Sequence, residues 1–465
     1  MFTKIIEWIR KWVNSMIGKT SLKQAIGTDI AISQPMITAL ELWSRMYENK
    51  AEWIKDDIVS LNLPAAIASE ISRAATIELK ITIEGSKRAD YLALQFEKVV
   101  DSLRTQVEFG AAKGGLAIKP YVDGKNLNVD FVQADQFFPV KFDANGNITS
   151  CVFVDQRTVG DKYFTRLEYH DITDAGYVVK NMAYKSTAKD MLGQEIGLDV
   201  IEDWNGLEPV ATIENVDKPL FAYFRYPLAN NIDSTSPLGV SCYSRAVGSI
   251  EQADRTFSNL LWEFDSGQRA LYVDVLAYGK DANGKPKLPN KRLYRTLETG
   301  SAEGELFKEW SPTLREQNIL NGLEAILKKV EFQCGLAYGT LSDPNTIDKT
   351  ATEIISTKQR SAATVVDCQK ALQSTLDQLL YAMDTWATLN KLAPKGKYSV
   401  TYDFDDSVVI DKESQMMQDR QTVSMQAMPK WMFLVRNYGM DEASAKKQIA
   451  EVTAETPPVD LFGGV

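Results

Sequence analysis

Apolar and polar residues follow two periods along this chain, and the switches between them divide it. Ser33–Lys55 and Asn62–Thr76 carry apolar residues at helical spacing, the second entered through Pro64. Ile77–Glu84 alternates as a strand. Ala89–Phe109 returns to helix, and the glycines of Gly110-Ala111-Ala112-Lys113-Gly114-Gly115 are expected to break it. From Leu116 to Val179 the period is two. LAIKPYV, NVDFVQ, FFPVKF, SCVFVDQRTV, KYFTRLEYHDI and GYVVKNMAYK predict antiparallel strands, with turns at Asp123-Gly124 and Asp143-Ala144-Asn145-Gly146. Glu208–Tyr226 reads as a less regular connection and Pro227–Pro237 as a loop.

Helical spacing then returns twice, over similar lengths. Cys242–Phe264 places Ile250, Ala253, Phe257, Leu260, Leu261 and Phe264 on one side. Leu314–Cys334 places Ile319, Leu323, Ile326, Leu327 and Val330 in register. Between them Arg269–Val275 reads as a strand, and Tyr278–Pro312 as a charged stretch with two hairpins.

The longest element follows a polar, turn-rich stretch from Gly335 to Asn345. Thr350-Ala351-Thr352-Glu353 is a capping box, and no Gly or Pro occurs from Ala351 to Lys391. About 41 residues at ~1.5 Å each give a helix of ~60 Å, several times the usual length. Leu372, Leu376, Leu379, Met383 and Trp386 share one face, while Ser361, Ala362, Ala363 and Thr364 keep the first half small. This reads as a strut between parts; a coiled-coil or bundle helix is the alternative. Tyr398–Phe404 predicts a strand, and Ser414–Ala427 and Asp441–Val452 predict helices separated by Pro429 and Gly439. The Pro- and Gly-containing end from Glu455 predicts disorder. The class is α+β.

Composition narrows the chemistry. The 465 residues allow two to four domains, and a net charge of −10 argues against general affinity for nucleic acid. Cys151, Cys242, Cys334 and Cys368 follow no metal or redox spacing and are expected to be reduced, buried and inert. No apolar run approaches the ~18 residues of a membrane span. Met1–Gly18 is a basic amphipathic helix with Ile5, Trp8, Ile9, Trp12 and Ile17 on one side. Docking on protein is the expectation for it, a membrane surface the alternative.

Catalytic patterns fail one by one. The single histidine, His170, lies in a strand and is expected to be structural; no nucleophile elbow or papain-like context accompanies it. Gly110 and Gly115 have Walker spacing, but Leu116 and Ala117 stand where Lys and Ser/Thr are needed. The turn at Asp143 lacks a calcium loop's glycine and glutamate, having Ile148 and Val154 there. Asp403, Asp405 and Asp406 form the one tight carboxylate cluster, so a metal-dependent nucleic-acid enzyme is a competing function. A peripheral membrane or scaffold protein using Met1–Gly18 is another. Neither a cofactor nor a metal is expected.

Four short motifs occur in order across the chain. They are Lys113-Gly114-Gly115-Leu116-Ala117-Ile118-Lys119-Pro120-Tyr121, Ala134-Asp135-Gln136-Phe137-Phe138-Pro139, Pro237-Leu238-Gly239, and Thr350-Ala351-Thr352-Glu353-Ile354 with Gln359. This order resembles the portal proteins of tailed bacteriophages, in the branch common in phages of Gram-positive hosts. The resemblance implies a portal fold without catalysis, in a homo-oligomeric ring, usually of twelve subunits, at one capsid vertex. The ring would be assembled in the host cytoplasm. Double-stranded DNA would pass through its channel without sequence specificity. Terminase, major capsid or scaffold proteins and a head-completion (adaptor) protein would be its partners.

The resemblance also implies a division of the chain. Residues 1–235 and 351–412 would form the wing, 236–267 and 313–338 the stem helices, and 268–312 the clip. A tunnel loop at 339–350, a crown at 413–456 and a flexible tail at 457–465 complete it. Asp343, Asn345, Thr346, Asp348 and Lys349 are then the candidate tunnel-loop residues. In the clip Lys280, Lys285, Lys287, Lys291, Arg292 and Arg295 face one acid, Asp281. They suit DNA at the exit or an acidic docking partner; a solvated hairpin is the plain alternative. Twelve chains would carry a charge of about −120, which disfavours gripping DNA.

Overall fold

The structure, a computed structural model, describes residues 22–55, 57–77, 79–188, 191–274, 293–297, 307–343, 351–404 and 412–455. The expected helix at Met1–Gly18, the carboxylates Asp405 and Asp406, and the chain end beyond Glu455 lie outside these residues.

Helices α1 (Gln34–Tyr47) and α2 (Leu63–Thr76) come first, with Pro64 in the opening turn of α2. α1 stops short of Lys55 because Asn49 takes a left-handed φ of 58° and the Lys50 N–H turns back to the Arg45 carbonyl. Strand β1 (Leu79–Glu84) leads to α3 (Lys87–Lys113), whose first turn is capped by the Ser86 hydroxyl accepting from the Ala89 N–H. α3 does not break at Gly110. It continues to Lys113 and ends where Gly114 takes φ 83°. Gly110 is instead a packing choice, since a Cβ there would lie 2.8 Å from the Phe224 ring.

Strands β2 (Gly115–Asp123), β3 (Asn126–Gln133), β4 (Phe137–Phe142), β5 (Ile148–Val159), β6 (Lys162–Thr173) and β7 (Gly176–Ser186) match the alternating run. β4 to β7 lie side by side and antiparallel, and β8 (Gln194–Ile196) and β9 (Val210–Ile213) both pair with β7. β10 (Ala222–Arg225) forms a second sheet with β2 and β3, pairing Phe224 with Leu116. The irregular connection of the sequence thus contains two unforeseen strands, each four residues long.

Helix α4 (Val247–Ser266) starts later than Cys242, which lies in the turns before it. β11 (Ala270–Asp274) then sits between β12 (Tyr294–Leu297) and β13 (Phe307–Trp310), parallel to the first and antiparallel to the second. β12 and β13 do not pair with each other, so the described strands form no hairpin between them. Helices α5 (Glu316–Cys334) and α6 (Ala351–Leu389) follow, and β14 (Ser399–Phe404) pairs with β1.

The apolar face foreseen on α6 is the core. Leu372, Leu376, Leu379 and Met383 are fully buried and Trp386 partly so. They pack against β10, β2 and α2, which removes the coiled-coil alternative for this half. The buried Arg88 of α3 holds the end of α6, lying 3.5 Å from Asp384 and donating to the Thr388 hydroxyl at 3.1 Å.

The chain divides into two compact units, one running to Tyr402 and one from Asp403 on, with residues 78–80 joining the second. The second unit contains α7 (Lys412–Ser424), α8 (Lys430–Tyr438) and α9 (Glu442–Glu455). The helix α8 between Pro429 and Gly439 was not expected. Within this unit Asp419 is buried and accepts from Asn437 at 2.8 Å and Arg436 at 3.3 Å.

Candidate functional site

Three of the four sequence motifs meet at one junction. The Lys113 ammonium lies 2.8 Å from an Asp135 oxygen and 2.6 Å from the Gln133 side-chain oxygen, and Ser44 of α1 donates to the same Asp135 oxygen. Gly114 and Gly239 touch through their backbones: a Cβ on Gly239 would lie 2.0 Å from the Gly114 oxygen. The Tyr226 N–H donates to that oxygen and the Cys242 N–H to the Ala111 carbonyl. The end of α3, the β3–β4 connection and the lead-in to α4 are therefore fixed together.

From this junction the chain builds a helix pair. α4 is held to the segment before α2 by Asp254, which accepts from the Trp53 indole at 2.9 Å and the Leu61 N–H at 2.8 Å. Burial raises the Asp254 pKa, against these hydrogen bonds. At the far end Glu263 clasps Arg315, accepting from its guanidinium at 2.7 and 3.2 Å and from its N–H at 2.9 Å. Hydrogen bonds from Arg315 hold the Glu263 pKa below its ordinary value. The clasp registers the start of α5 against the end of α4.

The apolar side of the pair is not wholly inward. Ile250, Ala253, Leu260, Leu323 and Val330 are buried, but Leu261, Phe264 and Leu320 are exposed, as is Trp262 at 63%. Periodicity finds an apolar stripe without saying which part of it a single chain can cover.

α5 ends at Gly335 with φ 72°, and the chain turns back along the helix. The Thr364 hydroxyl of α6 donates to the Gly335 carbonyl at 2.9 Å, and the Arg360 guanidinium stacks over the rings of Phe332 and Tyr338. Glu331, with no exposed surface, accepts from the N–H groups of Gly339, Leu341 and Ser342 at 3.1, 2.6 and 2.9 Å. Its other oxygen accepts from the Ser342 hydroxyl at 2.9 Å, and Glu324 accepts from the Asp343 N–H at 2.9 Å. Neither glutamate was singled out in the sequence, where an acid on an amphipathic helix signals a solvated face.

Of the candidate loop residues, Asp343 is described: its side chain is exposed and its backbone is held as above. Asn345, Thr346, Asp348 and Lys349 lie outside the described residues. Of the basic group, Arg295 is exposed on β12 and donates to the Tyr272 hydroxyl at 3.4 Å. Lys280, Lys285, Lys287, Lys291 and Arg292 lie outside the described residues.

The histidine and the four cysteines have structural surroundings. His170 is buried in the large sheet, with Nε2 2.8 Å from Glu168 and Nδ1 2.6 Å from the Tyr177 hydroxyl. Burial lowers its pKa, so the neutral ring donates from Nε2 and accepts at Nδ1. Burial opposes the charge of Glu168, yet Lys119, His170 and Arg166 together hold its pKa well down. All four cysteines are free and buried, and burial pushes Cys334 and Cys368 up to about 12. Among the described residues no group of three His, Cys, Asp or Glu side chains is placed to hold a metal ion, and no helix is long and apolar enough to cross a membrane.

A mixed body of helices and sheets that gives rise to a helix pair, and is rejoined through one long helix, has the α+β portal fold. The family model for phage portal protein, SPP1 Gp6-like, matches residues 30–457, and the chain belongs to that family. Portal proteins are structural components of the phage virion at the head–tail connection. No curated protein matches the sequence. Among solved structures the chain is similar to one from "Neck of native GTA particle computed with C12 symmetry". That match has 10% identity, a TM-score of 0.42, and covers 91% of this chain and 99% of the other, a likeness too distant to bear on function.

Proposed function

We propose that the chain assembles into a closed ring, of about twelve copies, at one capsid vertex. Double-stranded DNA passes along its axis during packaging and ejection without sequence-specific contacts. In this reading residues 1–235 and 351–412 are the wing, 236–267 and 313–338 the stem, 268–312 the clip and 413–456 the crown. The segment 339–350 faces the channel, with Asp343, Asn345, Thr346, Asp348 and Lys349 toward DNA. The basic residues between Lys280 and Arg295 meet DNA at the exit or the acidic surface of a terminase or head-completion protein.

The observation that carries this reading, beyond family membership, is the outward apolar side of the helix pair. Trp262 at 63% and Phe332 at 55% exposure are side chains that a lone chain leaves in water and that a neighbouring copy would cover. The acidic balance of −10 per chain suits a channel that lets phosphates slide. Four free, buried cysteines suit assembly in a reducing cytoplasm.

Sedimentation and electron microscopy of the purified chain test the proposal. Closed rings are the expected result, of twelve or a neighbouring number of subunits. Only monomer or dimer at micromolar concentration and near-physiological salt would overturn it.

A further inference from the structure

We propose that Glu331 and Glu324 are the positioning residues of the channel-facing segment: they grip the backbone of 339–343 and fix where along α5 the chain beyond Asp343 begins. This rests on the reading of 339–350 given above. The contacts themselves are independent of it.

The two carboxylates lie seven residues apart, which is two helical turns on one face and ~10 Å along the axis. Glu331 takes the N–H groups of Gly339, Leu341 and Ser342, and Glu324 takes that of Asp343. After Gly335 the chain therefore runs antiparallel to α5, back toward its middle. An ordinary connection between helices has no need of this, because exposed backbone is satisfied by water. Burying a carboxylate is costly, and Glu331 meets the cost with three amides and a hydroxyl, with no cation beside it among the described residues.

Both ends of the grip are themselves held. The Thr364 hydroxyl ties Gly335 to α6, and Ser342 is buried with its hydroxyl on Glu331. Force applied beyond Asp343 is passed to α5 through the two carboxylates before it reaches Gly335. The segment's starting point is thereby a property of the stem helix and not of the loop's own sequence.

Full-length wild type, Glu331→Gln, Glu331→Ala and Glu324→Ala are compared for ring mass, melting temperature, amide hydrogen exchange at 339–343, and packaged DNA in an infected host. Glu331→Gln keeps an oxygen for the three amides and offers an NH2 to the Ser342 hydroxyl, so it should package as wild type. Glu331→Ala should form rings, with the Gly339, Leu341 and Ser342 amides exchanging about tenfold faster or more, as expected for loss of a hydrogen bond to a charged group. Its packaged DNA should fall severely. Unchanged exchange, or fast exchange with normal packaging, overturns the proposal. Should Glu331→Ala fail to fold, Glu324→Ala carries the test: reduced packaging at a normal melting temperature supports the proposal, and normal packaging overturns it. A wild type that forms no ring overturns the portal reading instead, while exchange still tests the grip.

Discussion

The Lys113 ammonium and the Asp135 carboxylate form an ion pair 2.8 Å long with almost no exposed surface on either side chain. Each stands in a different sequence motif, one closing α3 and the other between β3 and β4. Their contact gives the motifs a physical meaning: it anchors the helical layer to the sheets where the lead-in to α4 crosses. Removing either partner takes from the other the opposite charge beside it, leaving a buried charge with neutral partners such as Gln133 or Ser44.

Lys113→Ala and Asp135→Ala should therefore each cost about 3–5 kcal/mol, by the usual penalty for breaking a buried pair from one side. The double substitution should cost clearly less than their sum, because no orphaned charge remains. Chemical denaturation of the four proteins measures this, and additive losses would contradict it.

Acid should loosen the helix pair at its Glu263 clasp. Hydrogen bonds from Arg315 lower the folded-state pKa of Glu263. A carboxylate so placed contributes stability in full above its unfolded value of about 4.3 and loses it as pH falls through the folded value. Glu263→Gln removes that contribution. The gap in melting temperature between wild type and Glu263→Gln should be widest near neutral pH and close below about pH 4. A gap that does not change with pH would contradict the assignment.

Leu376 on α6 has no exposed surface, and α6 packs on the second sheet and on α2. Leu376→Ala should destabilise by about 2–5 kcal/mol, the range for emptying a packed leucine site. Lys370→Ala, on the exposed side of the same helix, should stay within about 0.5 kcal/mol. Thermal or chemical unfolding compares the two, and equal effects would mean that the packed face has been misassigned.

For the segment proposed to face the channel, Lys349→Ala, or removal of Asn345 and Thr346, should leave ring mass unchanged and impair packaging or retention of DNA. Normal genome lengths in rings of all these variants would contradict a DNA-facing role. Loss of the ring would make the segment an intersubunit contact.

Much of this was legible in the sequence, for identifiable reasons. Long periodic runs carry many redundant signals, so the α6 face at Leu372, Leu376, Leu379 and Met383 and strands β2 to β7 were evident. β9, β10 and α8 were not. Four-residue strands hold too few alternations, and the stretch between Pro429 and Gly439 looks like a connection. The end of α3 was misplaced because Gly110 signals a break, whereas the helix needs it only to admit Phe224. The least legible residue was Glu331. Its role depends on the chain folding back over its own helix, and no periodicity distinguishes that acid from one facing water.

The pairing of β1 with β14 joins parts of the chain made at very different times. The Ser399 hydroxyl reaches the Glu84 carbonyl across 315 residues of sequence, and α6 packs on β2 and β10 only after it too has been made. At about 5–20 residues per second, roughly a quarter of a minute to a minute of synthesis separates these partners. Until then the bed for Leu372, Leu376 and Met383 stands open on the ribosome, and a chain cut short before α6 keeps it open permanently. Synthesis through α6 and β14 is thereby a condition for closing this core, which no shorter product can meet.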